Sequence, residues 1–300
     1  MKNILVTGAS GFLGTQVLKH LNRNGYCIHA IGRNKSPLND NCGVHWHSID
    51  LLDSVETRKL LRLVRAEGLI HLAWETEHSI YWNSPNNLNW VEASLSLARD
   101  FAFYGGERIV IAGTSAEYEW GSLFDLNERK STIAPSSLYG KSKNDLREQI
   151  EIIASDTKLS WSWGRFFNIF GPGEKSLRLI PRVIRTLIER ESLRFDSGKL
   201  VRDFLHVAEA GSATCALFES NVQGAVNIAS GQGISIFEVV SEISKYLNAE
   251  ELVQFNAAPD PTNQPMRVVA DTLRLRNEVG WLQSISTMDR MKEYCEWYAR

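Results

Sequence analysis

The chain is poor in cysteine, in net charge and in long apolar runs, and each shortage argues against a class of protein. Its four cysteines, Cys27, Cys42, Cys215 and Cys295, are scattered without C-x-x-C spacing. That scatter speaks against a disulfide framework and against a zinc site, and fits a reducing cytoplasm. No metal is expected. A formal net charge of -2 is not the basic balance of a nucleic-acid-binding surface. No apolar run approaches the roughly 18 residues of a membrane span. After Met1-Lys2-Asn3 the apolar run Ile4-Leu5-Val6 is broken by Thr7 and Gly8, too soon for the core of a secretory signal. Internal repeats and low-complexity tracts are also missing.

What is present is an ordinary globular composition, 43% hydrophobic and 23% charged, over a length that suits one large domain or two joined ones. Strand-like runs alternate with helical patterns: Ile4–Val6, a helix from Gln16, Tyr26–Ile31, Val44–Ile49, a helix over Val55–Ala66, Leu69–Leu72, a helix from about Leu88 to Tyr104, and Arg108–Ala112. Alternation of this kind builds parallel β-α-β units. A further helix opens near Ser136, and Trp161–Phe166 reads as a sixth strand. The expected architecture is α/β, a Rossmann-type doubly wound parallel sheet followed by a smaller mixed domain. Residues 1–167 form the dinucleotide-binding domain and 168–300 mainly the substrate domain, with about 201–230 returning to the large sheet.

The first turn carries the clearest chemistry. An apolar strand runs into Thr7-Gly8-Ala9-Ser10-Gly11-Phe12-Leu13-Gly14 and then into a helix. Unpaired N–H groups and the positive end of the helix dipole meet an anion there. Glycines allow the tight turn and the close approach of a pyrophosphate. The glycines at 8, 11 and 14 depart from G-x-G-x-x-G, and a plain strand-to-helix turn is the competing reading. In an open parallel sheet, ligands sit beyond the carboxyl ends of the strands. Gly8, Arg33, Asp50, Ala73 and Thr114 all fall on such ends.

The second anchor is Tyr139-Gly140-Lys141-Ser142-Lys143. Tyr139 and Lys143 stand i, i+4 on a helix, on one face. An adjacent ammonium lowers a phenol's pKa. Three units correspond to roughly 4 kcal/mol, which Lys143 and an oxidised nicotinamide could supply in a low dielectric. Such a tyrosine exchanges a proton with a carbinol oxygen while hydride moves. Thr114 offers a hydroxyl to the same oxygen. Alone, Tyr-x-x-x-Lys arises by chance on many helices; the combination carries the argument. Trp74, Trp82 and Trp120 fall at candidate pocket edges, with packing as the simpler reading of each.

With these residues in place, the chain resembles the extended short-chain dehydrogenases/reductases of the NAD(P)-dependent nucleotide-sugar epimerase/dehydratase group. Further shared motifs are Asp50-Leu51, His71-Leu72-Ala73, Arg165 to Gly173, Arg202 to Val207, Asn227 to Gly231, and Ala270-Asp271 through Gly280-Trp281. The resemblance implies that Gly8, Ser10, Gly11, Phe12, Leu13 and Gly14 hold the cofactor's pyrophosphate. It places Asp50 and Leu51 at the adenine, Leu72, Ala73, Trp74 and Asn89 along the cofactor, and Phe166 beside the nicotinamide. Asn168 and Arg202 would grip a sugar nucleotide's diphosphate, and Ser115 would meet the substrate. An Arg202–Asp203 ion pair is the competing reading for Arg202. His71 and His206 are read as packing or backbone-bonded histidines. A homodimer through the helices at 88–104 and 139–155 is also implied.

Three departures refine that expectation. Many relatives end the second strand on a carboxylate, whereas this chain has Gly32-Arg33-Asn34. Arg33 can pair with a ribose 2′-phosphate, so NADP(H) is preferred, with NAD(H) as the alternative. By resemblance, 4,6-dehydratases place an acid and a base where this chain has Ser115 and Ala116, with Glu117 one place late. Pro261 stands where relatives often have a phosphate-binding arginine, and Arg267 is the nearby substitute. The reading is an NADPH-dependent 4-keto reductase of a nucleotide-linked keto-deoxysugar, serving deoxysugar or surface-polysaccharide biosynthesis. An NAD-dependent C4 epimerase is the first alternative, and a non-catalytic nucleotide-binding protein on the same fold the second.

Overall fold

Short apolar strands alternate with amphipathic helices through the first half, and the computed structural model shows how they stack. It describes every residue except 1, 22–24, 34–42, 78–79, 122–123, 257–263 and 300. In chain order the strands are β1 Asn3–Thr7, β2 Cys27–Gly32, β3 Val44–Ser48, β4 Gly68–His71, β5 Arg108–Thr114, β6 Ser160–Phe166, β7 Asn168–Phe170, β8 Leu193–Phe195, β9 Val201–His206, β10 Gly224–Ile228, β11 Gly233–Ser235, β12 Val253–Phe255 and β13 Arg267–Val268. The helices are α1 Phe12–Leu21, α2 Ser54–Val64, α3 Asn86–Phe103, α4 Leu138–Thr157, α5 Leu179–Ile188, α6 Val207–Glu219, α7 Ile236–Tyr246, α8 Leu273–Asn277 and α9 Thr287–Tyr298.

Among the described residues, seven strands form one sheet in the order β10-β6-β5-β4-β1-β2-β3. Every pairing in it is parallel. Parallel sheets bury both faces, which explains why these strands read as continuous apolar runs. Successive side chains take opposite faces. Ile4 and Val6 join the core beneath α1 and α6, while Leu5 joins the core beneath α2, α3 and α4. Strand order reverses between β1 and β4, the switch point where such sheets bind ligands.

The second layer of the molecule centres on β9. It pairs with β7 and β13 in parallel and with β11 antiparallel. Around it α5, α7 and α9 bury Val183, Ile184, Val239, Ile243 and Tyr294 in a separate core. Strands β8 and β12 pair with each other, and their Phe195 and Phe255 rings stack at 5.4 Å. In the segment expected to return to the large sheet, α6 and β10 do so and β9 does not.

Candidate active site

The turn between β1 and α1 has room for backbone only. Gly8 sits at φ 66°, and a methyl there would lie 2.8 Å from the Ala73 nitrogen. A methyl on Gly14 would collide with the Gly8 carbonyl. Behind the turn, Thr7 Oγ1 lies 2.7 Å from His71 Nδ1 and accepts the N–H groups of Leu72 and Ala73. His71 Nε2 lies 2.8 Å from Ser94 Oγ, which donates to the Trp90 carbonyl. Burial, then Lys143, pushes His71 down to about 3, so it is a neutral strut between β1, β4 and α3. His206 likewise caps α6, accepting the Ala208 N–H at 3.2 Å. The glycine cradle at the positive end of α1 fits a dinucleotide pyrophosphate.

In front of the turn lies a cavity of about 430 Å³ walled by Gly8, Gly11, Phe12, Leu13, Gly14, Leu72, Ala73, Trp74, Thr114, Tyr139, Lys143 and Phe166. Parallel register sets Thr114 beside Phe166 at the rim. Ser137 caps α4 by accepting the Gly140 N–H, which starts the helix one residue before Tyr139. Tyr139 and Lys143 are both buried on its inner face. Lys143 Nζ donates to the Ala112 carbonyl at 2.8 Å and lies 3.7 Å from the centre of the Trp74 ring.

Burial pushes the Tyr139 phenol well above its ordinary value, and the nearby Tyr81 pushes the same way, against a hydrogen bond with Thr114. Lys143 donates to the Ala112 carbonyl and faces Trp74, and its own burial lowers it to about 7. Tyr139 is therefore a protonated acid at neutral pH. Three aromatic rings meet it edge-on, Tyr81 at 4.9 Å, Trp82 at 5.8 Å and Trp74 at 6.4 Å. Trp120 in turn meets Trp82 at 6.2 Å.

Glu117 lies under this floor rather than in the cavity. Its side chain is fully buried and accepts from Arg165 Nε at 2.7 Å, Trp163 Nε1 at 2.8 Å and the Thr114 N–H at 2.8 Å. Ala116, at the front, has no proton to move.

A second cavity of about 510 Å³ adjoins the first, sharing Ile169, Glu174 and Arg178. Asn168, Arg202, Phe195 and Phe204 line it. The Arg202–Asp203 ion pair does not form. Asp203 instead accepts from Ser230 Oγ at 2.6 Å and from the N–H groups of Ser230, Gly231 and Ala270. Arg202 donates to the Val201 carbonyl at 2.9 Å and keeps its place in the cavity wall.

The sequence pattern describing the NAD dependent epimerase/dehydratase family matches residues 4–229. The chain belongs to that family. It is thus an oxidoreductase or epimerase of the extended short-chain dehydrogenase type. A dTDP-6-deoxy-L-talose 4-dehydrogenase (NAD(+)) of Aggregatibacter actinomycetemcomitans is 27% identical, over 89% of this chain and 98% of that one. A dTDP-glucose 4,6-dehydratase of Neisseria meningitidis is 24% identical, over 99% of this chain and 93% of that one. The solved UDP-glucose 4-epimerase of Thermotoga maritima with UDP-glucose shares the fold at TM-score 0.88 and 21% identity, covering 99% of this chain and 98% of the other.

Not every expected residue of this family member reaches the two cavities. Asn89 is exposed and bonds Asn86; the asparagine turned inward is Asn87, which holds Trp74. Arg267 is paired with Asp125, with Nη2 at 2.5 Å and Nε at 3.2 Å. Pro261 lies outside the described residues. Ser10 is exposed on the glycine turn, and Ser115 is half-buried, its carbonyl accepting from Trp120 Nε1 at 2.9 Å. Arg33 is exposed at the end of β2, its carbonyl held by Ser48 Oγ. Leu51 is buried, and Asp50 is exposed and accepts the Leu52 N–H. Glu117 and Asn87 were missed as site residues.

Proposed function

We propose that the protein is an NADPH-dependent reductase of a nucleotide-linked 4-keto-6-deoxysugar. One observation carries the reading. Tyr139 is a buried, protonated acid, while the carboxylate nearest in sequence, Glu117, is locked beneath the floor by Arg165. The carboxylate of the cavity wall, Glu174, is paired with Arg178 at 3.1 Å, and burial raises it to about 7. Removing water from a sugar needs a second proton carrier, and Ala116 is none. Reducing a ketone needs one proton, which Tyr139 holds. When bound, the nicotinamide supplies the hydride. Thr114 steadies the developing oxyanion, and Lys143 holds the nicotinamide ribose and supplies positive charge. Arg202 and Asn168 take the diphosphate in the second cavity. The similarity to a 4-dehydrogenase of a dTDP-6-deoxysugar supports the same carbon and the same redox step.

Arg33 supports NADPH, since a guanidinium pairs with a 2′-phosphate that a carboxylate would repel. Free thiols at Cys27, Cys215 and Cys295 suit a reducing compartment, the cytoplasm. A homodimer would form through the outer faces of α3 and α4, where Leu88, Phe103 and Ile152 are exposed; light scattering reads the mass. The same Thr114–Tyr139–Lys143 set also suits a C4 epimerase. The deciding assay is NADPH oxidation with a panel of nucleotide-linked 4-keto-6-deoxyhexoses. Stoichiometric oxidation supports the reductase. Conversion of a 4-hydroxy sugar nucleotide to its 4-epimer without net oxidation replaces it with the epimerase.

A further inference from the structure

One side chain touches both members of the tyrosine–lysine pair. The Trp74 indole presents its face to Lys143, with Nζ 3.7 Å from the ring centre, and meets the Tyr139 ring at 6.4 Å and 69°. The indole is itself bolted down. Its N–H donates to Asn87 Oδ1 at 2.8 Å, and Asn87 Nδ2 donates to the carbonyls of Tyr81 at 2.7 Å and Ser84 at 2.9 Å. Asn87 is buried at the start of α3. Tyr81, whose carbonyl anchors Asn87, also packs edge-on against Tyr139 at 4.9 Å.

We propose that Trp74 is the positioning residue of the catalytic pair: its face fixes the Lys143 ammonium, its edge confines the Tyr139 ring, and Asn87 fixes the indole. The proposal rests on the reductase reading only in naming Tyr139 and Lys143 as the reacting pair. The physical need follows from burial. Among the described residues Lys143 has one oxygen partner, the Ala112 carbonyl, and it lies in a low-dielectric wall that favours the neutral amine. The negative face of an indole attracts a cation, and does so more strongly when the cation is desolvated. Glu117, beneath β5, raises the proton affinity of Lys143, and His71 on β4 is kept neutral by burial, with Lys143 adding to the effect. With burial drawing Lys143 to about 7, a modest local attraction decides its charge at physiological pH.

The test is the titration of Lys143 in the full chain, read from its side-chain carbon-13 shift and assigned against Lys143→Ala. Wild type is compared with Trp74→Leu, Trp74→Phe and Asn87→Leu. Loss of the indole face in Trp74→Leu should raise the acidity constant of Lys143 about tenfold, a midpoint lower by about one pH unit. Trp74→Phe should fall between, because benzene is the weaker cation binder. Asn87→Leu should shift in the same direction by less. In turnover with a keto-sugar substrate, the alkaline limb of the pH profile should move down with the midpoint. If Trp74→Leu fails to fold, the Phe variant carries the comparison. Lower melting temperatures with an unmoved midpoint would reduce Trp74 to packing and overturn the proposal. A shifted midpoint with no turnover on any keto sugar would leave the proposal standing and remove the reductase reading instead.

Discussion

Glu117 Oε1 accepts the Thr114 backbone N–H at 2.8 Å, so the threonine of the candidate site is held by a carboxylate that never reaches the cavity. The same carboxylate neutralises Arg165, whose side chain is almost fully buried. Breaking a buried pair by removing one charge costs about 3–5 kcal/mol, because the partner is left uncompensated. Glu117→Gln should therefore lower unfolding stability by about that amount, measured by urea denaturation. A loss below 1 kcal/mol would show that the Tyr118 hydroxyl and ring, which also meet Arg165, are enough to hold it. Molecules that remain folded should still bind cofactor, since the Gln amide oxygen can accept the Thr114 N–H.

Tyr139→Phe removes one oxygen from a ring already fixed by Tyr81, Trp82 and Trp74. The fold and cofactor affinity should persist while turnover falls about 10²–10⁴-fold, the usual share of a general acid. Cofactor fluorescence and initial rates on the same sample separate the two. Full activity in this variant would remove Tyr139 as the proton donor.

These residues also show what could be read from the sequence. The large sheet was legible because its inner strands β1, β4 and β5 are buried on both faces and their apolar runs survive as a signal. The glycine turn and the Tyr139/Lys143 spacing are local, and local signals are readable. Glu117 was not: its role depends on the register of β5 with β6, which brings Trp163 and Arg165 beneath it. Asn89 rests on the family resemblance alone, and the structure leaves it exposed while Asn87 faces inward. The buried positions of α3, Asn87, Trp90, Ser94, Leu97 and Phe101, follow one face on which 89 does not lie. The strands β7, β11 and β13 are two or three residues long and too short to carry a period.

His71 should make the protein acid-sensitive. Its native value is about 3 against the usual 6.5, because it is buried. As pH falls from 6.5 toward 3, the unfolded chain takes up a proton that the native chain refuses, so stability is highest above 6.5 and declines below it. Chemical denaturation from pH 7 to pH 4 should show that decline. His71→Gln should flatten it, although its stability at pH 7 is lower. An unchanged slope would assign the acid sensitivity to other groups, such as His206, which burial lowers to about 4.

Arg33 separates the two cofactors. Arg33→Asp should weaken NADPH binding by more than tenfold, since it replaces a cation with a charge that repels the 2′-phosphate, and should leave NADH binding nearly unchanged or improved. Titration of nucleotide fluorescence at two salt concentrations checks this, because a phosphate–guanidinium contact at an exposed position weakens with ionic strength. Equal loss for both cofactors would point to a damaged turn rather than a lost reader.

Arg202 and Arg267 lie on paired strands yet should behave differently. Arg202 lines the second cavity, where burial lowers its proton affinity and, among the described residues, the Val201 and Met266 carbonyls accept from it. A guanidinium held there by two carbonyls still has donors for a diphosphate, with five N–H groups in all. Arg267 has its Nε and Nη2 engaged by Asp125. Arg202→Ala should raise KM for the sugar nucleotide, or weaken binding of a free nucleoside diphosphate, about 10–100-fold, in line with a lost charge-assisted pair. Arg267→Ala should change either by less than threefold, because an exposed ion pair is worth at most about 1 kcal/mol. Isothermal titration of a nucleoside diphosphate against both variants separates the roles without any assumption about the sugar. A large effect at Arg267 would mean that the Asp125 pair opens when the nucleotide arrives.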